Sequence, residues 1–253
     1  VMLIINGWSV PTALLAAFAA GLVAGFVTGF LHTVLGIPDI LAGILSQIAL
    51  YSINLNIMGM ANQALSVDKY NLLVSLREVQ KSILVSVIFA FVIICILYWY
   101  FGTEQGCALR ATGCNPNMAK AQGINVDFMK ILALALSNGL VALAGGLITQ
   151  YQGFADINMG RGAIVIGLAA VIIGEVLGEA LLAKHLNFMG RLIFVVIGGI
   201  IYYIVVGIVL WLKMPTNDLK LFTAIIVAIF LAVPYLRAKS RNSFAKAAKK
   251  GAE

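Results

Sequence analysis

Residues 82–103 and 131–155 contain no aspartate, glutamate, lysine or arginine. A helix rising 1.5 Å per residue crosses the hydrocarbon of a bilayer in about 20 residues, and both runs reach that length. Seven segments of this character can be read along the chain: 10–31, 38–59, 82–101, 128–152, 162–178, 192–212 and 219–236. In lipid the backbone N–H and C=O groups must be satisfied within the segment itself, so such runs fold as helices. An all-α polytopic membrane protein follows. The composition agrees: 62% of the 253 residues are hydrophobic and 11% are charged, against about a quarter charged in soluble domains. The fifth segment is the weakest, because only 162–174 of it is free of charge; a short or re-entrant helix suits it as well as a full span.

The basic residues orient these segments. Arg237, Lys239, Arg241, Lys246, Lys249 and Lys250 lie in the tail. A basic end beside a span is retained on the cytoplasmic side. Alternation then puts Arg110, Lys120, Lys130, Lys184 and Arg191 on the same side. Lys69, Arg77, Lys81, Arg161, Lys213 and Lys220 fall outside, so eleven of 17 basic residues are inside. Val1 starts on the outer side in this arrangement, which predicts at least one further amino-terminal span. The net charge of +7 does not point to nucleic acid, since the basic tail has one aromatic residue, Phe244, and no folded face. Residues 1–237 read as the membrane domain and 238–253 as a basic cytoplasmic tail.

The spans carry few polar groups. Gly21, Gly25 and Gly29 recur every four residues and share a helix face; close backbone packing explains them better than a substrate role. Gln47, Tyr51 and Asn54 form a polar stripe, continued by Met58. Amides are costly in lipid unless they meet protein or a wet cavity, so the stripe is either an interhelical bonding face or the lining of a pathway. Asn138 and Gln150 raise the same pair of readings. Glu175 is the one acid inside a plausible span, near an interface, with Glu179 a turn later. His32 and His185 read as residues of different short loops without clustered carboxylates or cysteines. Cys95, Cys107 and Cys114 have no zinc spacing. Neither a metal site nor a cofactor is expected, and no phosphate-binding glycine loop or catalytic constellation appears.

One polar loop interrupts this pattern. In "RATGCNPNMAKAQGIN", residues 110–125, Asn115 is a good N-cap. Pro116 suits the first helical position, where its missing N–H is not needed. "NMAKAQ" follows, and Gly123 supplies a left-handed stop. A helix of two turns does not persist alone in water, so it must dock on its own spans or on another protein.

Residues 103–147 resemble the cytoplasmic loop and following span of ABC importer permeases of the branched-chain amino acid and ribose class. The family pattern G-x-x-L-R-A-x-G-x-N-P-x-x-A-x-x-x-G-I is met by Gly106, Leu109, Arg110, Ala111, Gly113, Asn115, Pro116, Ala119, Gly123 and Ile124. "GRGAIVIGLAAVIIGE" and "PTNDLKLFTAIIVAIFLAVP" resemble a subgroup often paired with binding proteins for aromatic amino acids. The resemblance implies a non-catalytic permease subunit, in a bacterial inner membrane, of an importer for a small solute such as an aromatic or branched-chain amino acid. It implies coupling to a separate ATPase through loop 104–126, with Arg110, Asn115, Pro116, Met118, Ala119, Lys120, Ala121 and Gly123 at the coupling site. It also implies a periplasmic or lipid-anchored binding protein, a second permease copy as a homodimer, and contact with membrane lipid. Family members usually have additional amino-terminal membrane segments, which this chain lacks. An ion-coupled secondary transporter is the alternative; it would carry intramembrane charge or interrupted helices in matching halves.

Overall fold

The computed structural model describes residues 1–66, 69–70, 72–160, 163–182 and 187–211, with Leu221, Ile225, Ala228 and Ala232 beyond them. The elements in order are α1 (Met2–Ile5), α2 (Val10–Thr33), α3 (Asp39–Met58), β1 (Asn62–Ala64), a 3-10 turn (Leu76–Glu78), α4 (Val79–Phe101), α5 (Glu104–Cys114), α6 (Pro116–Ala121), α7 (Val126–Gln152), β2 (Phe154–Asp156), α8 (Ala163–Leu182) and α9 (Phe188–Trp211). Five described helices are long and apolar enough to cross a membrane: α2, α3, α4 with its leading 3-10 turn, α7 and α9. The fold is that of a helical polytopic membrane protein. The expected segment 219–236 lies outside the described residues except for the four positions named. The tail, Arg161, Lys184, His185, Lys213 and Lys220 also lie outside them.

The chain forms two compact units, Val1–Met159 and Gly160–Glu253. In the first, α2 and α7 are the closest pair, and the glycines of α2 are the reason. A Cβ on Gly21 would stand 2.5 Å from the Asn138 carbonyl oxygen and 2.6 Å from Ala142 Cβ. On Gly25 it would run into the Leu134 carbonyl, and on Gly29 it would lie 2.8 Å from Ile131 Cα. All three contacts are with α7, so the four-residue spacing is a packing seam. On another face of α2, Thr28 Oγ1 donates to Ser46 Oγ of α3 at 2.8 Å, and Ser46 passes its own hydrogen to the Ala42 carbonyl at 2.9 Å. Each hydroxyl thereby finds an acceptor where water is absent.

One end of this unit carries a small antiparallel sheet that the hydrophobic pattern does not announce. Asn62 pairs with Asp156, Gln63 with Ala155 and Ala64 with Phe154. Flanking bonds from Leu65 N–H to the Gly153 carbonyl and from Ile157 N–H to the Ala61 carbonyl lengthen it. Beside it Ile4, Val10, Ala13, Leu14 and Leu65 form a buried cluster. The described residues between α3 and α4 thus hold a strand and one 3-10 turn. At the same end Ser82 Oγ accepts from Ser75 N–H at 2.8 Å and donates to the Ser75 carbonyl at 2.6 Å, which fixes the start of α4.

The second unit packs α8 on α9. Gly174 sits against the backbone of Phe194, and Gly198 against the Ala170 carbonyl, with no room at either for a side chain. Ala169, Ile173 and Tyr202 are buried between the helices. The fifth segment is longer than expected: α8 is continuous to Leu182, because residues 179–182 ("EALL") contain no helix breaker. Glu175 and Glu179 are exposed on it. Arg191, expected in a loop, lies in the first turn of α9.

Overpacking a tight seam costs about 1–3 kcal/mol. Gly25→Ala should therefore lower the thermal midpoint of the purified protein. Gly43→Ala should not, because a Cβ there meets nothing within 4 Å. Circular-dichroism melts of both variants in detergent check the contrast.

Candidate transport pathway and coupling loop

The end opposite the sheet is built by local signals in sequence. Gly102 closes α4, and the Thr103 hydroxyl then caps α5 by accepting from Gly106 N–H at 3.3 Å. Gly106 lies against the backbone of Tyr100 and Phe101, where a Cβ has no space. The next helix stops at Cys114 because proline disfavours helical backbone in the residue before it. Asn115 is accordingly extended, with φ −154° and ψ 97°. The same residue opens α6: its Oδ1 accepts from Met118 N–H at 3.1 Å, and Pro116 takes the first helical position. Gly123, at φ 80°, ends the turn. Asn125 then caps α7 by accepting from Phe128 N–H at 3.1 Å.

The expected helix is thus present over Pro116–Ala121, with its start and stop where the residues put them. It does not stand alone, since α5 precedes it as a second, longer helix that the apolar periodicity did not reveal. Ala119 is 2% exposed and packs into its own chain, whereas Met118 is 63% exposed. Lys120 and Ala121 face outward with Met118, as do Asn115 and Pro116. Of the eight coupling positions, Ala119 is the buried one. Arg110 lies on the exposed side of α5.

At the sheet end a cavity of about 280 Å³ opens between α1, α2, α3 and α7. Alanines 13, 16, 17 and 20 leave the space, and Asn54, Thr149 and Gln150 supply the polar side chains of its wall. Thr149 Oγ1 donates to the Gly145 carbonyl at 2.8 Å. Gln150 is 1% exposed, and its Oε1 accepts from Leu73 N–H at 3.2 Å. The structure therefore brings two of the five expected pathway residues, Asn54 and Gln150, to one cavity. Gln47 and Tyr51 are exposed on the same side of α3 but stand outside the wall. Asn138 does not join them. It is twelve residues before Gln150 on α7, its Nδ2 donates to the Leu134 carbonyl at 2.9 Å, and its own carbonyl lies in the glycine seam.

One expectation about histidine is corrected. His32 is not a loop residue; it occupies the last turn of α2. Nor is it apart from carboxylates: its Nδ1 lies 3.2 Å from Asp39 Oδ1 at the start of α3. Residues seven apart meet because the α2–α3 turn reverses the chain at Gly36, φ 68°. Among the described residues no group of three or more metal-ligating side chains gathers.

Residues 1–234 match the family described as branched-chain amino acid transport system, permease component. The chain belongs to this family. The permease is 38% identical over 243 residues to the tyrosine transport system permease protein of Clostridioides difficile (strain R20291), covering 95% of this chain and 79% of that one. It is 33% identical over 200 residues to an uncharacterised protein of Rickettsia prowazekii (strain Madrid E), covering 78% of this chain and 69% of the other. No solved structure matches it. The permease is therefore a transport subunit in the membrane.

Replacing Gln150 by leucine strands the Leu73 amide, and a buried donor left unpaired costs about 1–3 kcal/mol. Gln150→Leu should speed hydrogen exchange at residues 72–75 while leaving exchange in α9 unchanged; mass-spectrometric exchange on the purified permease reads both.

Proposed function

We propose that the permease forms the membrane pathway of an ATP-driven importer for an amino acid, and that the α5–α6 loop receives the stroke of a separate cytoplasmic ATPase. The observation that carries this reading is the division of labour in α6. Ala119 anchors it to its own chain, and Met118, Lys120 and Ala121 are exposed among the described residues. A six-residue helix capped at both ends is a rigid knob, and a rigid knob passes on displacement better than a flexible loop. Asn115 and Pro116 set its start, Gly123 its end, and Arg110 presents a cation beside it.

The family description and the tyrosine relative both support an amino acid as solute. Asn54 and Gln150 in the wall of the alanine-lined cavity, with Gln47 and Tyr51 along α3, are the proposed pathway residues. The exposed polar stripe of α3 needs a cover within lipid, and a second copy of the permease supplies one. In this reading 1–237 is the permease domain. The α5–α6 loop and the tail 238–253 face the cytoplasm of a bacterial cell, the sheet end faces a binding protein that delivers the solute, and the chain lies in the inner membrane.

Met118→Glu and Ala121→Glu put a charge on the docking face without touching the buried Ala119. Each should lower solute taken up per ATP hydrolysed by about tenfold, a coupling loss of ordinary size, with the permease still inserted. Uptake and ATPase assays on vesicles holding the whole complex measure the ratio. Wild-type ratios in both variants would remove the coupling role. Labelling of a cysteine placed at Lys120 by an impermeant reagent from the cell exterior would overturn the orientation.

A further inference from the structure

Gln150 is held in the wall of the cavity between α1, α2, α3 and α7 by one half of its amide. The Leu73 N–H only donates, so the amide atom that faces it at 3.2 Å is the oxygen. The other half, Nε2, keeps both hydrogens: nothing among the described residues accepts them. Yet the residue is 1% exposed, and buried polar groups in folded proteins are nearly all paired. Asn54 faces the same space from α3, and no hydrogen bond within the described residues engages its side chain. Thr149 has already given its hydrogen to the Gly145 carbonyl. The rest of the lining is apolar, with Ala13, Ala17 and Ala20 of α2 against Ile57 and Met58 of α3, and no charged side chain lines the space.

We propose that this cavity is a subsite for the side chain of the solute, that the side chain it prefers is uncharged and carries an oxygen, and that Gln150 Nε2, with Asn54 opposite, is the donor that reads this oxygen. This rests on the pathway role proposed above for the two residues and adds which part of an amino acid they meet. The charges decide which end enters. An ammonium and a carboxylate brought against a wall without charged side chains lose their hydration and gain no partner. The head of the amino acid therefore stays outside and the side chain goes in. The size agrees, since about 280 Å³ falls just below the range of about 300–1,000 Å³ that encloses drug-sized ligands. The amide then chooses between side chains. An oxygen gives Nε2 an acceptor, whereas a hydrocarbon of the same shape leaves it buried and unpaired. The small side chains of α2 contribute by leaving the space open.

Tyrosine and phenylalanine differ by one oxygen and serve as the probes. Radiolabelled tyrosine is bound to the complete transporter, without nucleotide and without binding protein, and displaced by unlabelled tyrosine or phenylalanine. The wild type should bind tyrosine about tenfold more tightly than phenylalanine. Gln150→Leu should bring the two to equal affinity. That variant also strands the Leu73 amide, but a loosened structure weakens both solutes alike, so the ratio isolates the bond to the oxygen. Ala17→Leu fills the cavity from α2 and leaves Gln150 and Asn54 in place; it should remove binding of both. Equal affinities in the wild type, a wild-type ratio in Gln150→Leu, or undiminished binding in Ala17→Leu would overturn the proposal. Uptake by the complete complex in vesicles keeps this separate from the import function. ATP-driven uptake of both amino acids, with no preference in the binding assay, sinks the subsite and leaves the importer standing. No ATP-driven uptake of any amino acid removes the function on which the subsite rests.

Discussion

The contact on which the first unit rests is a backbone-to-backbone approach rather than a side-chain core. Gly21, Gly25 and Gly29 let α2 lie against Asn138, Leu134 and Ile131 of α7 at distances no alanine tolerates. Between helices in lipid the hydrophobic effect gives little preference for contact, since the acyl chains are as apolar as leucine, and packing and hydrogen bonds decide. The seam gains its dispersion energy from the absence of side chains. It also sets where everything else stands. The ends of α2 and α7 carry the buried cluster beside the sheet at one pole, and His32 with Lys130 at the other. The α8–α9 pair repeats the device with Gly174 and Gly198.

Because the seam runs the length of both helices, α2 and α7 behave as one rigid body to which more loosely packed pieces attach. Several of the attachments are polar: Thr28 to Ser46 for α3, Gln150 to Leu73 for the loop after β1, and His32 to Ile37 and Asp39 at the base. A transporter has to rearrange helices without unfolding them. Side-chain hydrogen bonds of this kind suit that need, since net contributions near 1 kcal/mol each are large enough to help order an element and small enough to be exchanged. The proposed pathway residues lie on the α3 side of this pair, the side with the replaceable bonds.

The parts legible in the sequence are those whose cause is local. The spans follow from hydrophobic length, and α6 follows from Asn115, Pro116 and Gly123, each of which acts on its own backbone. The spacing of Gly21, Gly25 and Gly29 gave the packing face, though not its partner. What escaped was set by contacts distant in sequence. The sheet pairs residues ninety or more apart, and neither three-residue strand has room for an alternating pattern. Ser46 is one ordinary serine in an apolar run until Thr28 is opposite it. His32 passed for a loop residue because no helix-breaking residue intervenes before Gly36 to mark where α2 ends, and Lys130 is ninety-eight positions away. In α5 the signal was present but dispersed: the Thr103 cap is conventional, and the segment is too polar to show an apolar stripe.

The helix α4 is secured in another manner. Within its unit it packs on the 3-10 turn before it and on α5 after it, and of its residues only Ser82 is buried. The Ser75–Ser82 hydroxyl clamp fixes one end; at the other, Gly106 abuts the backbone of Tyr100 and Phe101. Mechanically this is a beam on two supports. Its mid-span, with Val87, Phe91 and Ile96 turned outward, contributes hydrophobic length rather than fit. Exchanging one apolar residue for another there leaves the unit's internal contacts intact, whereas loss of either support frees the beam to swing about the other.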